Sequence, residues 1–464
     1  MHGATNQPWR VAVVGAGPSA FYATEALFKA LGDGVRVDMF DRLPVPYGLV
    51  RGGVAPDHQN IKGVVKVYEK IAANPGFRFF GNVKLGRDVQ VADLADHYHQ
   101  IVYAFGCESD QKLGLPHEDL DGVYAATDFV GWYNGHPDHR QHRFDLARAR
   151  RVAIVGNGNV AMDVARVLLS SAERLAGTDI AEHALAVLRD NQAREVVLLG
   201  RRGPAQAAFS PKEIEEIAEL PDTDVVVTPE EAALDPLSEQ WLESAPRSQQ
   251  RNVKFVHEQA ERGEGEGSRK LRCRFKVAPV ELRGPDGRLS GVRIQHMELV
   301  AGDDGTPRPK AIDRYEDLQV DLLFKAIGYK GLPVPGVPHE PKKGIVPNDA
   351  GRVLEQPGGA VVTGQYVVGW CKRGPTGLIG TNSPDAKATV EQMLADREGD
   401  RHLQPTRDDL GPLLHERGVF VVDWSDWQRL DAWEQKAGAE RGQLRHKLPS
   451  IDEMLTVIRE LRGR

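Results

Sequence analysis

The sequence predicts an α/β fold built from two Rossmann-like dinucleotide-binding domains, of the glutathione-reductase-like kind. Two short apolar runs, Arg10–Val14 and Arg151–Val155, are each followed at once by a glycine-rich turn and a helical pattern. The order of strand, turn and helix is typical of a nucleotide-binding unit on a parallel sheet. Its recurrence predicts a second nucleotide site in the same chain.

Two further apolar runs that end in glycine, residues 101–106 and 322–329, lie on either side of the second unit. They have the composition of buried strands, and we interpret them as the places where the chain crosses between domains. The predicted second domain spans residues 109–327. It is inserted into a discontinuous first domain, residues 1–108 and 328–464.

Composition restricts the class of protein. The 464 residues carry a formal net charge of -7, with 41% hydrophobic and 27% charged residues. This balance disfavours nucleic-acid binding. The chain contains no apolar run long enough for membrane insertion, and the residues before the first strand lack the apolar core of a signal peptide. We therefore expect a soluble, cytoplasmic protein.

The three cysteines are far apart in the sequence. No Cys-x-x-Cys pair is present for zinc, for an iron-sulfur cluster or for a redox disulfide, so no metal site is predicted. Cys107 comes just after the apolar run 101–106, and Cys371 lies within the stretch Gly369–Gly377. Neither has a resolving partner nearby in the sequence. Both are predicted to be buried packing residues.

The first glycine turn has the features of a dinucleotide site. Gly15 permits the tight turn, Gly17 lets a pyrophosphate approach, and the small Ala20 lets helix and strand pack closely. The helix N-terminus favours the phosphate charge. Asp41 ends the next strand, where a carboxylate can bind a ribose hydroxyl pair.

The second glycine turn, Gly156–Ala161, differs at the end of its following strand. That strand, Glu195–Leu199, leads into Arg201 and Arg202 rather than into an acid. Two guanidinium groups can clamp a 2′-phosphate through charge-assisted bonds, whereas an acid would repel it. The sequence therefore favours FAD at the first site and NADP at the second.

A third glycine-rich turn, Pro375–Gly380, opens a helical pattern. Reduced flavin carries negative charge at one edge, and the backbone N–H groups of Gly377, Leu378 and Ile379 can face that charge. We expect Ser383 to be the N-cap of the helix that follows, with a proline and then an acid in its first turn.

Three stretches together resemble adrenodoxin reductase and its bacterial relatives, with the greatest likeness to actinobacterial NADPH:ferredoxin reductases of that type. They are Pro46–His58, the paired motifs at 156–161 and 200–203, and Gly369–Gly377. The resemblance runs from about Val11 to about Leu394. Residues 400–464 show no chemistry that the sequence identifies.

The resemblance implies non-covalent FAD, NADPH as electron donor, and delivery of single electrons to a ferredoxin or another small acidic iron-sulfur protein through transient, electrostatic docking. A monomer is expected. The family usually has Glu at the position of Asp41, and the shorter aspartate keeps the charge and is expected to reach the ribose through water. By motif, the FAD contacts are Gly15, Ser19, Asp41, Leu49, Trp370 and Gly377, and the NADPH contacts are Asn157, Gly158, Asn159, Val160, Arg201, Arg202 and Glu213.

The resemblance also suggests His58 and Glu216 near the nicotinamide and the flavin. Hydride transfer needs alignment rather than a side-chain base, so their expected roles are positioning and proton supply. A histidine titrates near neutrality and suits a proton relay, with Asp57 placed to orient His58. A purely structural role remains the alternative for His58 and for Glu216.

Several functions stay open at this point. A quinone or small-acceptor reductase uses the same cofactors, and a nucleotide-responsive binding protein would keep both folds without turnover. The electron-input subunits of larger complexes carry cysteine clusters that this chain lacks, and a disulfide reductase needs a cysteine pair.

An acidic protein acceptor needs a local basic surface, for which the candidates are the alternating strand 270–276 and the arginine-rich stretch 140–151. Either stretch is equally explained as a solvated charged face.

Overall fold

The computed structural model describes residues 8–463, which divide into two compact units. The first unit holds the chain up to Val54, residues 58–109 and the stretch from Gly328 onward; the second holds residues 55–57 and 110–327. The prediction about a signal peptide rests mainly on residues 1–7, which lie outside the described residues. Within the described range, no helix is both long and apolar enough to cross a membrane.

The described residues form eighteen strands. In chain order they are β1 (Trp9–Val14), β2 (Val35–Phe40), β3 (Phe77–Phe80), β4 (Gln100–Tyr103), β5 (Ser109–Asp110), β6 (Val123–Ala125), β7 (Arg151–Val155), β8 (Glu195–Leu199), β9 (Thr223–Val226), β10 (Arg269–Arg274), β11 (Val277–Arg283), β12 (Gly291–Ala301), β13 (Pro307–Gln319), β14 (Leu322–Lys325), β15 (Tyr329–Lys330), β16 (Asn348–Asp349), β17 (Arg352–Leu354) and β18 (Val361–Val367).

Eighteen α-helices occur in the same residues. They are α1 (Pro18–Leu31), α2 (Leu49–Gly52), α3 (Gln59–Lys62), α4 (Val65–Ala72), α5 (Val91–His97), α6 (Ala126–Tyr133), α7 (Asn159–Leu169), α8 (Ala172–Ala176), α9 (Glu182–Leu188), α10 (Pro211–Ala218), α11 (Pro229–Ala232), α12 (Pro236–Ser244), α13 (Arg247–Arg262), α14 (Trp370–Arg373), α15 (Asn382–Glu398), α16 (Gly411–Glu416), α17 (Trp424–Ala439) and α18 (Ile451–Arg462). Short 3-10 helices lie at Gly32–Gly34, Pro137–His139, Pro204–Gln206 and Ile379–Thr381.

The first unit is organised around a seven-stranded sheet with the order β16-β17-β18-β4-β1-β2-β3. The five strands from β18 to β3 are parallel, and Val11 of the central strand β1 lies between Val37 and Gln100. Strands β16 and β17 add an antiparallel edge. Apolar cores cover the sheet, and one of them includes Leu430 of α17 and Ile458 of α18. The C-terminal helices therefore belong to the core of this unit.

The second unit has a six-stranded parallel sheet, β6-β14-β7-β8-β10-β9, and a three-stranded antiparallel sheet, β11-β12-β13. Its entry strand β6 pairs directly with its exit strand β14, with Val123 opposite Leu323. The Lys325 ammonium forms ion pairs with Asp110 at 3.0 Å and Glu118 at 2.9 Å. The beginning and the end of the stretch 110–327 are thus held side by side.

The predicted fold class is confirmed, and both strand–turn–helix units begin where the apolar runs place them. One local prediction is wrong. Helix α15 starts at Asn382 with Thr381 as its N-cap, so Ser383 lies inside the first turn. The 3-10 turn Ile379–Thr381 runs directly into this helix and starts it earlier than the Ser-Pro signal indicates.

Candidate functional site

The turn after β1 is shaped for close approach of a ligand. Gly15 has φ of +112°, and a Cβ there would meet Ala104 O at 2.4 Å, so only glycine fits. A Cβ on Gly17 would meet nothing within 4 Å, which leaves open space at the start of α1. No side chain of the described residues caps this helix N-terminus. The open, uncapped turn fits a pyrophosphate.

Asp41 follows β2 and is tied to this turn. Its Oδ2 accepts from Ala16 N at 2.9 Å and its Oδ1 from Leu43 N at 2.9 Å. Burial raises the pKa of Asp41 to about 6, and the two backbone N–H groups oppose that shift only in part. Each carboxylate oxygen can accept a further hydrogen bond. Asp41 can therefore keep its contacts with Ala16 N and Leu43 N and still accept from ribose hydroxyls.

A pH-dependent FAD affinity follows from this pKa. At pH 7 Asp41 is ionised and accepts hydrogen bonds; below about 6 it takes up a proton and loses acceptor strength. We expect the FAD Kd of the wild type to rise by up to about tenfold per pH unit below 6, because one proton then competes with binding. Asp41→Asn should weaken binding about tenfold at pH 7, the value of one charge-assisted hydrogen bond, and should flatten the pH dependence.

Fluorescence titration of apoprotein with FAD between pH 5 and 8 measures both effects. Asp33→Asn, an exposed acid on the turn before β2, is the matched control and should behave as the wild type. Identical pH profiles for the wild type and Asp41→Asn would contradict the assignment of Asp41.

The Pro46–His58 motif is brought to the first glycine turn by its backbone. Tyr47, with φ of +83°, donates from its N–H to Ala16 O at 2.8 Å. A Cβ on Gly48 would lie 3.0 Å from Gly17 Cα. Leu49 then begins the short helix α2. The predicted FAD contacts Gly17 and Leu49 are therefore neighbours in this unit.

Arg51, on α2, anchors this segment to the C-terminal helices. Its Nη2 donates to Glu434 Oε1 at 2.6 Å and its Nη1 to Glu434 Oε2 at 2.8 Å. Glu434 is fully buried in α17 and also accepts from Arg445 Nη1 at 2.9 Å and from Leu448 N at 3.2 Å. Burial favours the neutral acid, but Arg51 and Arg445 outweigh it and lower the pKa of Glu434.

The third glycine turn lies in the same unit. Gly369, at φ of +72°, donates from its N–H to Asp385 Oδ2 at 2.7 Å, and Trp370 starts α14. Gly377 has φ of +81°. Leu378 is 65% exposed, which is unusual for a large apolar side chain beside a tight turn. An aromatic ring system lying against this turn would cover that apolar surface.

The second glycine turn repeats the features of the first. Gly156 has φ of +121°, and a Cβ there would meet Ala326 O at 2.3 Å, while a Cβ on Gly158 would meet nothing within 4 Å. The Asn157 Nδ2 amide is buried and has no hydrogen-bond partner among the described residues. Asn159 Oδ1 accepts from Ser210 N at 2.7 Å. A buried donor left unsatisfied beside an open helix N-terminus fits a bound dinucleotide.

Arg201 and Arg202 follow β8 at the surface, and no ion pair or hydrogen bond of their side chains occurs within residues 8–463. Partial desolvation, then the charges of Arg201 and Arg308, lower the pKa of Arg202. Three guanidinium groups therefore create a positive potential that an anion would relieve. Arg308, on β13, was not predicted, because it lies more than a hundred residues away in the sequence.

The predicted acids of the second unit converge on one buried arginine. Arg166, in α7, is fully buried and contacts Asp57 at 2.8 Å, Asp163 at 2.7 Å and Glu213 at 2.9 Å. Glu216 Oε2 lies 3.8 Å from Arg166 Nη1 and pairs with Lys212 at 3.3 Å. Burial disfavours the charged guanidinium, but the carboxylates outweigh burial and raise the pKa of Arg166.

His58 belongs to the first unit and is the N-cap of α3. Its carbonyl accepts from Ile61 N and Lys62 N, both at 3.1 Å. The roles of His58, Asp57 and Glu216 in proton supply stay predictions. The same holds for Glu213 as an NADPH contact.

The three thiols are buried, and burial raises the pKa of Cys107, Cys273 and Cys371 to about 12 in each case. They therefore stay protonated near neutral pH, in agreement with a packing role.

The alternating strand predicted at 270–276 is β10, but its cations are neutralised within the second unit. The pairs are Lys270 with Glu264, Arg272 with Glu195, and Arg274 with Glu231 and Glu316. An acidic protein would have to displace these ion pairs. We therefore do not retain this strand as a docking surface.

The two open glycine turns, one followed by an acid and the other by an arginine pair, define a flavoprotein oxidoreductase that also binds a pyridine nucleotide. The family model described as pyridine nucleotide-disulphide oxidoreductase matches residues 9–221. The chain is 42% identical to NADPH-ferredoxin reductase FprA of Mycobacterium tuberculosis, over 97% of this chain and 99% of that protein. It is 39% identical to NADPH:adrenodoxin oxidoreductase, mitochondrial, of Arabidopsis thaliana, over 97% of this chain and 96% of that protein.

The chain belongs to the family of NADPH-ferredoxin and adrenodoxin reductases. The solved structure of Mycobacterium tuberculosis FprA in complex with NADPH superposes with a TM-score of 0.91, covering 97% of this chain and 100% of that one. The predicted family is therefore confirmed. With 97% of the chain covered, the relationship also includes most of the residues after Leu394, where the resemblance of motifs ends.

Proposed function

We propose that this protein is an NADPH-dependent ferredoxin reductase with FAD as its resident cofactor. The observation that carries the proposal is the contrast between the two nucleotide turns. Asp41 follows the first, whereas Arg201 and Arg202, whose side chains form no ion pair within residues 8–463, follow the second. An acid accepts a free ribose hydroxyl pair and repels a 2′-phosphate, and arginines do the reverse. The first turn thus suits FAD and the second NADPH.

When bound, FAD supplies the chemistry that accepts a hydride and releases electrons one at a time. The residues of this chain bind and orient. The turns at Gly15 and Gly156 admit the pyrophosphates, and Arg201 and Arg202 fix the 2′-phosphate. The turn at Gly377 offers backbone N–H groups to the flavin edge. His58 is assigned to proton supply, and Glu216 and Asp57 to positioning.

The acceptor is a small acidic iron-sulfur protein of the ferredoxin or adrenodoxin type, bound transiently. The names of the relatives support this class of acceptor. Of the two candidate surfaces we keep the arginine-rich stretch 140–151, in which Arg143, Arg148 and Arg150 are exposed. We further propose that the protein acts as a monomer in the cytoplasm.

Cytochrome c reduction by the purified yellow protein tests the proposal, with NADPH or NADH and with or without a ferredoxin. We expect a large ferredoxin-dependent rise that is greater with NADPH. Arg201→Ala combined with Arg202→Ala should lower kcat/KM for NADPH by about 100-fold or more, because two charge-assisted bonds at about 1.5 to 3 kcal/mol each are lost. The kcat/KM for NADH should barely change.

Arg262→Ala, an exposed arginine at the end of α13, is the matched control and should leave both values unchanged. Rapid flavin bleaching by NADPH without any effect of ferredoxin would favour a quinone or small-acceptor reductase instead. Equal losses with NADPH and NADH in the double variant would contradict the 2′-phosphate assignment.

A further inference from the structure

A cluster of two histidines and one aspartate lies in the second unit, separate in that unit from the second glycine turn and from Arg201 and Arg202. Asp128 projects from the first turn of α6. His139 ends the 3-10 helix Pro137–His139, and His142 follows three residues later. None of these residues takes part in the proposed nucleotide chemistry.

The three side chains converge, and no hydrogen bond joins them within the described part of the chain. Asp128 Oδ1 lies 3.3 Å from His139 Nδ1 and 3.6 Å from His142 Nε2, and one ligand atom of each residue lies within 4.8 Å of the other two. His139 Nδ1 is buried and has no hydrogen-bond partner among the described residues. The contact to His142 exceeds hydrogen-bond distance. The convergence is therefore not explained by hydrogen bonding.

The spacing matches the edge of a tetrahedral metal site. Zinc binds histidine nitrogen and carboxylate oxygen at about 2.0 to 2.2 Å, which places neighbouring ligand atoms about 3.3 to 3.6 Å apart. The two measured separations, 3.3 and 3.6 Å, fall in that interval. Two imidazoles and one carboxylate are also a ligand set that zinc prefers, with room for water at the fourth position.

Gly131 holds one ligand in place. It lies in α6, and a Cβ added there would meet His139 Cδ2 at 2.2 Å, so the imidazole rests directly on the helix backbone. Any larger residue at 131 would push the ring away from Asp128. The position of His139 is thus fixed by packing before any ion binds.

Access for an ion and its water is available beside the cluster. A cavity of about 280 Å³ is lined by His142, Trp132 and Asp145, among others. The Trp132 Nε1 donor is buried and lacks a hydrogen-bond partner within the described part of the chain. A cavity of this size in which His142, Asp145 and the Trp132 Nε1 donor offer polar partners can hold ordered water.

We propose that Asp128, His139 and His142 form a binding site for a divalent transition metal of the zinc type. The ion would tie α6 to the turn 137–142 and leave one coordination position to water. The spacing of the cysteines predicted no metal site, and the ligands of this cluster are instead two histidines and an aspartate. The alternative for the same geometry is an ion pair between Asp128 and protonated histidines.

Metal titration of the chelator-treated, FAD-loaded protein tests the proposal. The probe is Co²⁺, whose ligand-field absorption reports tetrahedral coordination, followed by displacement with Zn²⁺. We expect one Co²⁺ per wild-type chain. Asp128→Asn and His142→Gln should each weaken binding by at least about tenfold, because each removes one of three ligands. Gly131→Ala should weaken it through displacement of His139.

His136→Gln is the matched control, since His136 lies in the same segment but outside the three-residue cluster. It should keep the wild-type affinity. In thermal unfolding, Zn²⁺ should raise the Tm of the wild type and of His136→Gln but not that of Asp128→Asn. The absence of a tetrahedral Co²⁺ spectrum, or equal uptake by the wild type and both ligand variants, would overturn the proposal.

Discussion

Replacing Arg166 with methionine is expected to destabilise the second unit by about 3 to 5 kcal/mol, the usual result of removing one partner from a buried ion pair. Methionine fills similar space, but Asp57, Asp163 and Glu213 would lose the guanidinium that each of them contacts. Urea unfolding followed by circular dichroism measures the loss. NADPH binding should fall with it, because α7 starts at the second glycine turn.

A second variant separates this effect from a simple packing defect. Combining Arg166→Met with Glu213→Gln should recover part of the stability, since one uncompensated charge is gone.

The control for this experiment is Arg174→Met, an exposed arginine on α8, which should change the free energy of unfolding by less than about 0.5 kcal/mol. A loss below about 1 kcal/mol in Arg166→Met, or no recovery when Glu213→Gln is added, would show that Arg166 does not balance these acids.

Glu434→Gln is expected to cost the first unit about 3 kcal/mol and to weaken FAD binding by about tenfold. The amide keeps the shape of the side chain but cannot balance Arg51 and Arg445, which pair with both carboxylate oxygens. Because Arg51 lies on α2, loss of this anchor loosens the segment that holds Tyr47 and Leu49 beside the first glycine turn.

The FAD Kd and the urea midpoint of the flavin fluorescence signal measure the two parts of this effect. Arg51 and Arg445 lower the pKa of Glu434, so the wild type keeps this stabilisation above the ordinary range of a glutamate and loses it as the pH falls through the lowered pKa. Glu434→Gln should lack that acid-dependent loss. Glu440→Gln, exposed at the end of the same helix, should match the wild type. Unchanged FAD affinity in Glu434→Gln would contradict the anchoring role.

Local patterns predicted the nucleotide turns well because each turn is encoded by adjacent residues. A buried parallel strand, a glycine that must adopt positive φ and a helix with no side-chain cap follow one another within about ten residues, and the structure has all three at Gly15 and at Gly156. The residues at the ends of the following strands are also local signals, so Asp41 and the arginine pair at 201 and 202 could be predicted as site residues from the sequence.

Contacts between distant residues could not be predicted in this way. Arg166 is a single cation in an otherwise apolar stretch of α7, which is a signal of a buried ion pair, but nothing local identifies Asp57 or Glu213 as its partners. Glu434 likewise meets Arg51 across more than 380 residues. The basic residues of β10 suggested an open surface for the same reason, because the acids that neutralise them come from other parts of the chain.

The contact between Asp110 and Lys325 makes the stretch 110–327 resemble an inserted segment that can be exchanged as one piece. Its two ends meet through a 3.0 Å ion pair, and its first and last sheet strands are neighbours. Segments whose ends lie together are the ones that tolerate excision and transplantation. We therefore expect that this stretch can be exchanged between relatives while the rest of the chain is kept. Asp57 belongs to the same unit but lies outside this stretch of sequence, so a recipient chain must keep an acid at position 57 to pair with Arg166.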